Sequence, residues 1–170
     1  AMADYYRTSS SSAREIINIG EEVKNISSYL LIQKERYSNK IDFQIEVDPS
    51  IYHYAIPKMT LQPLVENAIY HGMEGMYEDG EIEIRIYEKE GAIKIEVADN
   101  GPGMTAEKLD YIMHNKVISS KRGSGIGVRN VNERIQLIYG KNYGITIASE
   151  LDEGTVATIT IPKMEEFDET

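Results

Sequence analysis

Two runs of alternating residues near the middle of the chain constrain its fold more than any other feature. Apolar side chains alternate with charged or small ones in both runs, at Ile82, Ile84 and Ile86 and again at Ile93, Ile95 and Val97, and Glu88-Lys-Glu-Gly91 separates them. A period of two places the apolar side chains of a strand on one face. The sequence therefore predicts an antiparallel hairpin with one face buried beneath other elements.

Strand and helix patterns surround this hairpin. Further strands are predicted at 41–47, 144–150 and 155–161, and helices at 60–72, 105–115 and 127–140. Segment 51–56 has no clear pattern. Hairpins with helices between them are typical of an α/β fold, so we expect a two-layer α/β sandwich with a mixed sheet and helices on one face.

The N-terminal part predicts one long helix. Ser12-Ala-Arg-Glu15 has the spacing of a capping box, and Ser38-Asn39-Lys40 ends the pattern. A stripe recurs every three or four positions, at Ile16, Ile19, Val23, Ile26, Leu30, Gln33 and Tyr37, and Gln33 is its one polar interruption. Ile17, Leu31 and Ile32 widen part of this stripe. Such a narrow stripe is typical of packing against another long helix. Two alternatives follow: the helix packs on its own domain, or its partner lies elsewhere.

Composition excludes several classes of function. A net charge of −10 over 170 residues disfavours general binding to nucleic acid or to anionic membranes, although a local basic pocket remains possible. The absence of Cys excludes disulfides, thiolate nucleophiles and Cys-based metal sites. No apolar run is long enough to span a bilayer. These properties are typical of a soluble globular domain.

The predicted helix that ends at Gly72 has two distinct faces. Leu61, Leu64, Val65 and Ala68 form its apolar stripe, whereas Asn67 and His71, four residues apart, lie together on another face. Pro63 is tolerated only in a first turn, which favours Thr60 as the N-cap. An ordinary amphipathic helix would also show a polar face. A functional face is the alternative, because an amide oxygen suits Mg²⁺ that bridges phosphates.

Two glycine clusters are candidate ligand-binding loops. They are Asp99-Asn-Gly-Pro-Gly103 and Gly123-Ser-Gly-Ile-Gly127. Glycine lets a backbone approach a ligand closely, and a helix that starts near Gly127 directs free N–H groups at an anion. A turn and a helix cap would explain the second cluster equally well. Neither cluster has the Gly-Lys-Ser/Thr of a Walker A loop or the context of a dinucleotide-binding loop.

Asp99 is predicted at the end of a strand beside glycines. Its carboxylate could accept a hydrogen bond from an exocyclic amine, and an Asx turn is the structural alternative.

Taken together, these motifs resemble those of sensor histidine kinases of the LytS/YesM type. The segment 61–72 resembles their N box, Asp99 to Met104 their first glycine box, and Gly123 to Arg134 their second glycine box, and Gly154-Thr155 also matches. The motifs stand in the family's order and spacing. The resemblance covers roughly Glu21 to Pro162.

The resemblance implies a Bergerat-type ATP site. Asn67 would coordinate Mg²⁺, and His71 would lie beside the phosphates as a binding residue. Asp99 would accept the adenine amine, supported through water by Thr155. The adenine would lie against Gly101 and Gly103.

The same resemblance implies the phosphate side of the site. Gly125 and Gly127 would wrap the phosphates, with Ile126 between them in the ATP-binding segment, and residues 104–124 would form a lid. Lys121, Arg122 and Arg129 are candidates for compensating phosphate charge. The implied ligands are thus ATP and Mg²⁺.

Two departures from the family's pattern matter. The family commonly has Lys where this chain has Tyr70, which puts one phosphate contact in doubt. The family's phosphoacceptor His lies upstream, and His53, His71 and His114 all stand in other places. We therefore expect the ATP-binding part of a protein-histidine kinase that does not autophosphorylate alone.

The resemblance also suggests an organisation for the whole protein. Residues 4–38 would be the C-terminal helix of the dimerisation and phosphoacceptor region, 39–163 the ATP-binding domain, and 164–170 an acidic tail. The partners would be its own acceptor helix, a response regulator and a second copy in a homodimer, with no nucleic acid. The full protein would be a membrane-bound sensor with this part in the cytoplasm. Ile16 to Leu30, without their partner helix, would self-associate or dock on the domain.

Two alternative functions follow from the same fold. Related ATPases such as gyrase and heat-shock chaperones place a Glu four residues before the Mg²⁺-binding Asn to activate water, but Pro63 stands there in this chain. Slow hydrolysis would therefore favour a kinase. A nucleotide-binding interaction module without kinase activity is the other alternative, motivated by Tyr70.

Overall fold

The structure is a computed structural model that describes residues 15–73, 80–114 and 126–165. Its elements in chain order are β1 (Ile16–Asn18), α1 (Ile19–Arg36), β2 (Ile41–Val47), a 3₁₀ turn (Pro49–Ile51), β3 (Ala55–Pro57), α2 (Leu61–Met73), β4 (Gly80–Lys89), β5 (Ala92–Asp99), α3 (Ala106–His114), α4 (Ile126–Tyr139), β6 (Gly144–Glu150) and β7 (Gly154–Pro162).

The main sheet has five strands in the order β2-β4-β5-β7-β6. β2 runs parallel to β4, and the other neighbours are antiparallel, so the predicted mixed sheet is confirmed. The β4–β5 hairpin turns through Glu90 and Gly91, whose φ angles of 54° and 79° suit the right-handed twist of the flanking strands.

One face of this sheet is buried and the other faces solvent. The alternating apolar residues of β4 and β5 all lie on the covered face, at Ile82, Ile84, Ile86, Ile93, Ile95 and Val97. Helices α1, α2 and α4 contribute to the same core. The predicted stripe of α2 is also buried, at Leu61, Leu64, Val65 and Ala68. The predicted two-layer sandwich is therefore confirmed.

The predicted start of the N-terminal helix is wrong. Residues 16–18 form β1, which pairs antiparallel with β3, and α1 begins only at Ile19. Asn18 caps the helix, because its Oδ1 accepts a hydrogen bond from the Glu21 N–H at 2.8 Å. The hydrogen-bonding groups of the β1 backbone are satisfied by β3, a segment distant in the sequence. No local pattern could show that partner. Ser12 to Arg14 lie outside the described residues.

Of the two alternatives for the N-terminal helix, packing on its own domain is confirmed. Ile19, Ile26 and Leu30 are almost fully buried in the common core, so the surface predicted to lack a partner is covered. Leu31 and Ile32, predicted to widen the stripe, are instead 61% and 64% exposed.

Three smaller predictions are corrected. α2 continues to Met73 and is not ended by Gly72. The helix spacing that predicted 127–140 rests on Val128, Val131, Ile135 and Ile138, but only the first three are buried and Ile138 is 46% exposed. The ambiguous segment after β2 folds as a 3₁₀ turn followed by β3. Among the described helices, none has the length and hydrophobicity needed to cross a membrane.

The neighbours Leu30 and Leu31 test whether α1 is an integral part of this core. Leu30→Ala removes a fully buried side chain and should lower the free energy of unfolding by about 2–5 kcal/mol. Leu31→Ala, the matched control on the exposed side, should change it by less than about 0.5 kcal/mol. Urea unfolding of both variants measures the difference. Equal effects would mean that α1 does not pack as described.

Candidate functional site

Asp99 lies at the end of β5, where the apolar inner face of the sheet stops. Its carboxylate accepts hydrogen bonds from the Gly101 N–H, at 2.9 Å, and from the Thr155 N–H of the neighbouring strand. Burial raises the pKa of Asp99 to about 6, although both N–H groups oppose the shift. The site thus holds a carboxylate that is short of hydrogen-bond donors and favours a ligand that supplies one.

Polar side chains from three adjacent strands meet beside Asp99. The sheet register places Asp99 opposite Thr155 and Thr155 opposite Ser149. The Ser149 and Thr155 hydroxyls are hydrogen-bonded at 2.8 Å, and the Met104 N–H donates to Ser149 Oγ at 2.8 Å. Sequence analysis found Asp99 and Thr155 but missed Ser149. The turn at Asp152-Glu-Gly154 was the available signal, because it fixes the register that pairs Ser149 with Thr155.

Two glycines let the loop after β5 lie directly on the β6–β7 hairpin. Gly103 has a φ of +71°, and a Cβ there would stand 1.8 Å from the Glu150 carbonyl oxygen. Gly154 has a φ of +93°, and its Cβ would stand 2.2 Å from the Asp99 carbonyl oxygen. The Asp152 N–H also donates to the Pro102 carbonyl at 2.7 Å. Backbone contacts therefore help to fix the surroundings of Asp99.

Helix α2 carries the second group of predicted residues. Asn67 is half-buried, and His71 is buried with its ring edge-on to Tyr70 at 5.0 Å between centroids. Pro63 occupies the first turn, as predicted, where its missing N–H is not needed. α2 packs on β4, β5, β7 and α4. This packing places the helix that bears Asn67 over the strand that ends at Asp99.

Helix α4 begins with Ile126 and Gly127. A Cβ on Gly127 would stand 3.3 Å from Pro63 Cβ, so the first turn of α4 lies against the first turn of α2. The free N–H groups and positive end of a helix favour an anion at this position. Arg129, one turn further on, is half-buried.

Several predicted residues lie outside the described part of the chain. Gly125, Lys121 and Arg122 are among them, as is the segment 115–124 of the predicted lid at 104–124. The part of the lid that is described contains buried Met104 and helix α3. Thr105 caps this helix, because its Oγ1 accepts a hydrogen bond from the Lys108 N–H at 3.1 Å.

A cavity of about 280 Å³ opens at the ends of β2, β4 and β5. Asp99 lies at its edge, but its other carboxylates are Asp42, Glu81, Glu83 and Glu153. Four further carboxylates repel a polyphosphate. The N-terminus of α4, which does not line this acidic cavity, is therefore the better place for phosphates.

The residues of the site fit a metal ion that is held mainly by a bound ligand. In the described ranges, no three His, Cys, Asp or Glu side chains are grouped so that they could hold a metal ion. Mg²⁺ is commonly bound through one or two protein oxygens together with phosphates and water. Asn67 supplies one such oxygen on the helix beside α4.

Comparison with known proteins gives the class of this chain. Residues 56–165 match the family described as histidine kinase-, DNA gyrase B- and HSP90-like ATPases, and the chain belongs to that family.

Individual relatives show which members of this family the chain is similar to. The chain is 36% identical to the sensor protein LytS of Bacillus cereus over 160 residues, which are 94% of this chain and 27% of that protein. It is 38% identical to the sensor histidine kinase YesM of Bacillus subtilis over 156 residues, which are 92% of this chain and 26% of that one. The predicted likeness to the LytS/YesM type is thus confirmed, and the chain spans about a quarter of these relatives.

Solved structures support the fold. The catalytic domain of the histidine kinase ThkA superposes with a TM-score of 0.64 at 22% identity, covering 88% of this chain and 95% of that one. A structure of ThkA with the response regulator protein TrrA gives 0.61 at 19% identity, covering 96% and 46%. The predicted Bergerat-type fold is confirmed.

The raised pKa of Asp99 predicts how stability depends on pH. Between pH about 4 and about 6, Asp99 is protonated in the folded protein but ionised in the unfolded chain. The free energy of unfolding that this proton contributes is therefore lost as the pH rises through 6. Asp99→Asn removes this titration and keeps a side-chain oxygen for the Gly101 and Thr155 N–H groups. The variant should be about 1–3 kcal/mol more stable than the unmodified protein at pH 8 in urea unfolding.

At pH 4 or below, the two proteins should differ little, because Asp99 is then protonated in the folded state. A difference that is the same at pH 4 and pH 8 would contradict the assignment of a raised pKa to Asp99.

Gly103 and Gly91 form a matched pair that isolates the backbone contact beside Asp99. Both have positive φ, but a Cβ on Gly91 meets nothing within 4 Å, whereas one on Gly103 clashes with Glu150. Gly91→Ala should cost about 1–2 kcal/mol for conformation alone. Gly103→Ala should cost at least about 2 kcal/mol more, measured by urea unfolding. Equal costs would mean that the loop does not rest on the hairpin.

Proposed function

We propose that this chain is the ATP-binding catalytic domain of a sensor histidine kinase, which transfers the γ-phosphoryl group of Mg·ATP to a histidine on another segment. The observation that carries the proposal is Asp99, a partly buried carboxylate fixed by the Gly101 and Thr155 N–H groups and still able to accept from a ligand. An exocyclic amine such as that of adenine is the donor that this group favours.

The adenine side of the proposed site is formed by Asp99 and its loop. Gly101 and Gly103 present backbone without side chains, so a flat base can lie against it. The linked Ser149 and Thr155 hydroxyls lie beside the carboxylate and offer positions for a water that reaches the base.

The phosphate side is formed by α2 and α4. In this proposal the N-terminus of α4, at Ile126 and Gly127, would bind the phosphates together with Gly125, and Asn67 would hold Mg²⁺ through its amide oxygen. When bound, Mg²⁺ neutralises charge on the phosphates. His71 contributes to binding and not to proton transfer. Lys121, Arg122 and Arg129 are proposed to compensate the remaining charge.

Pro63 favours transfer to a protein over hydrolysis. It occupies the position four residues before Asn67, and its ring lies against Gly127 at the start of α4. The Pro63 side chain cannot accept a proton from water, as the Glu of related ATPases does at this position. Its ring also occupies the space in which such a Glu carboxylate would lie. Water activation from this position is therefore absent from the proposed mechanism.

The remaining parts of the proposal concern the whole protein. The acceptor histidine is placed on a helix of the same protein, which acts as a homodimer on the cytoplasmic side of a membrane-bound sensor and passes the phosphoryl group to a response regulator. Neither side of the proposed site calls for nucleic acid. The division into residues 4–38, 39–163 and 164–170 stays a prediction, although α1 shares its core with the second of these segments.

Nucleotide binding is the first test of this proposal. Calorimetry with a nonhydrolysable ATP analogue and Mg²⁺ should show one site, and ligand at a hundred times its Kd should stabilise the fold by about 2.7 kcal/mol. Asn67→Ala should abolish the Mg²⁺-dependent part of the affinity. Glu35→Ala, at an exposed position near the end of α1, is the control and should bind normally.

Phosphotransfer from labelled ATP to a supplied acceptor-helix fragment tests the reaction itself. Transfer that requires Asn67 would support a kinase. Nucleotide binding without transfer would contradict the kinase assignment and leave an interaction module, whereas rapid hydrolysis by the chain alone would favour an ATPase.

A further inference from the structure

Glu22 is a buried carboxylate that lies outside the site described above. It stands in the first part of α1 and is 2% exposed. Its Oε2 accepts a hydrogen bond from the Thr60 N–H at 3.1 Å, and its carboxylate also accepts one from the Met59 N–H. These two residues lead directly into α2. A side chain of α1 therefore holds the backbone at the start of the helix that bears Asn67.

Thr60 extends this contact to α4. Its hydroxyl donates to the Pro57 carbonyl and accepts from Arg134 Nη2 at 3.2 Å. Its side chain is fully buried, so the geometry of both bonds is closely restricted. Side chains of α1 and α4 thus both hydrogen-bond to Thr60, the residue that directly precedes α2.

The positions of Thr60 and Arg134 relate this junction to the proposed site. Asn67 lies seven residues beyond Thr60, and Gly127 lies seven residues before Arg134, so each is about 10 Å along its helix from the junction. Gly127 also touches Pro63 of α2. The two helices are thus in contact where Thr60 meets Arg134 and again where Pro63 meets Gly127. A shift at Thr60 would therefore move α2, which bears Asn67, relative to the start of α4.

The charges at the junction make Glu22 costly to replace. Burial raises its pKa, while the Thr60 and Met59 N–H groups and the positive charges of Arg134 and Lys58 lower it. Met59 has a φ of +65°, an uncommon conformation for a residue with a side chain, which the N–H contact to Glu22 helps to hold. Loss of the carboxylate would leave the buried Thr60 N–H without its acceptor.

The distribution of buried polar residues supports a role beyond packing. Within the described ranges, the buried polar or charged residues are His71 and Thr155 in the candidate site and Glu22 and Thr60 at this junction. An apolar core needs none of these groups, and buried polar networks are kept where they fix one arrangement.

We propose that Glu22 is a positioning residue, which fixes α2 against α4 through Thr60 and so sets the distance between Asn67 and the anion-binding start of α4. The inference rests on the proposed nucleotide-binding function. It assigns to α1 a direct influence on the phosphate side of the site and none on the Asp99 side, because Asp99 is held by the β6–β7 hairpin.

The test compares Glu22→Ala, Glu22→Gln and the control Glu21→Gln, which changes the exposed neighbour on the same helix. The measured quantity is the gain in ADP affinity when Mg²⁺ replaces EDTA, determined by calorimetry on the 170-residue chain. Glu22→Ala should reduce this gain about tenfold, the size expected for one hydrogen bond to a charged group, with the affinity in EDTA retained. Glu22→Gln should lose less, because its amide oxygen can still accept from Thr60. Glu21→Gln should match the unmodified chain.

Hydrogen exchange gives a second measure that needs no nucleotide. Glu22→Ala should speed exchange in α2 and α4 and leave the β4–β5 hairpin unchanged. Should Glu22→Ala not fold, Glu22→Gln carries both measurements. Faster exchange throughout the chain, an equal loss of affinity with and without Mg²⁺, or no change would each overturn the proposal. Absence of nucleotide binding by the unmodified chain would contradict the proposed function instead, and exchange in α2 and α4 would still decide the role of Glu22.

Discussion

Burial of one face of the β4–β5 hairpin is the constraint on which the rest of this structure depends. The isoleucines of the two strands lie on one side, and they are removed from water when α2 packs on them and α1 and α4 complete the same core. Covering a twisted sheet from one side leaves little choice in how the helices cross it. The position of α2, and therefore of Asn67, follows from the need to bury Ile82 to Val97.

The candidate site lies where this apolar face ends. Along the inner face of β5 and β7, isoleucine and alanine give way to Asp99 and Thr155, with Ser149 beside them on β6. A carboxylate at the border of the core is less hydrated than one at the surface, which explains its raised pKa. The two glycines at 103 and 154 allow the loop and hairpin to close on it without side chains between them. The sheet that gives stability thus also determines the polarity of the site.

Much of this arrangement could be predicted because its signals are local. Alternation predicted β4, β5 and the covered face, and the glycine clusters with Asp99 and Asn67 predicted the site residues. The predictions failed where a distant segment decides the outcome. β1 is a strand only because β3 pairs with it, and the local capping pattern that begins at Ser12 does not depend on that pairing. Ser149 and Glu22 were missed for the same reason: each acquires its role from a partner on another element, Thr155 in one case and Thr60 in the other.

Asp99 and Glu22 are both buried carboxylates, but their surroundings imply different uses. Glu22 has two backbone N–H groups and two cations near it, so its acceptor capacity is directed at the protein. Asp99 has two backbone N–H groups, and among the described residues no cation contributes to its pKa, so part of its capacity is directed outward. A ligand that donates a hydrogen bond to Asp99 favours the ionised form and relieves a cost of folding, which makes binding and ionisation mutually supportive. Asp99, whose hydrogen-bonding capacity is incompletely used, thus destabilises the free protein and selects a ligand that donates a hydrogen bond. Glu22, whose capacity is used within the protein, affects only the structure around it.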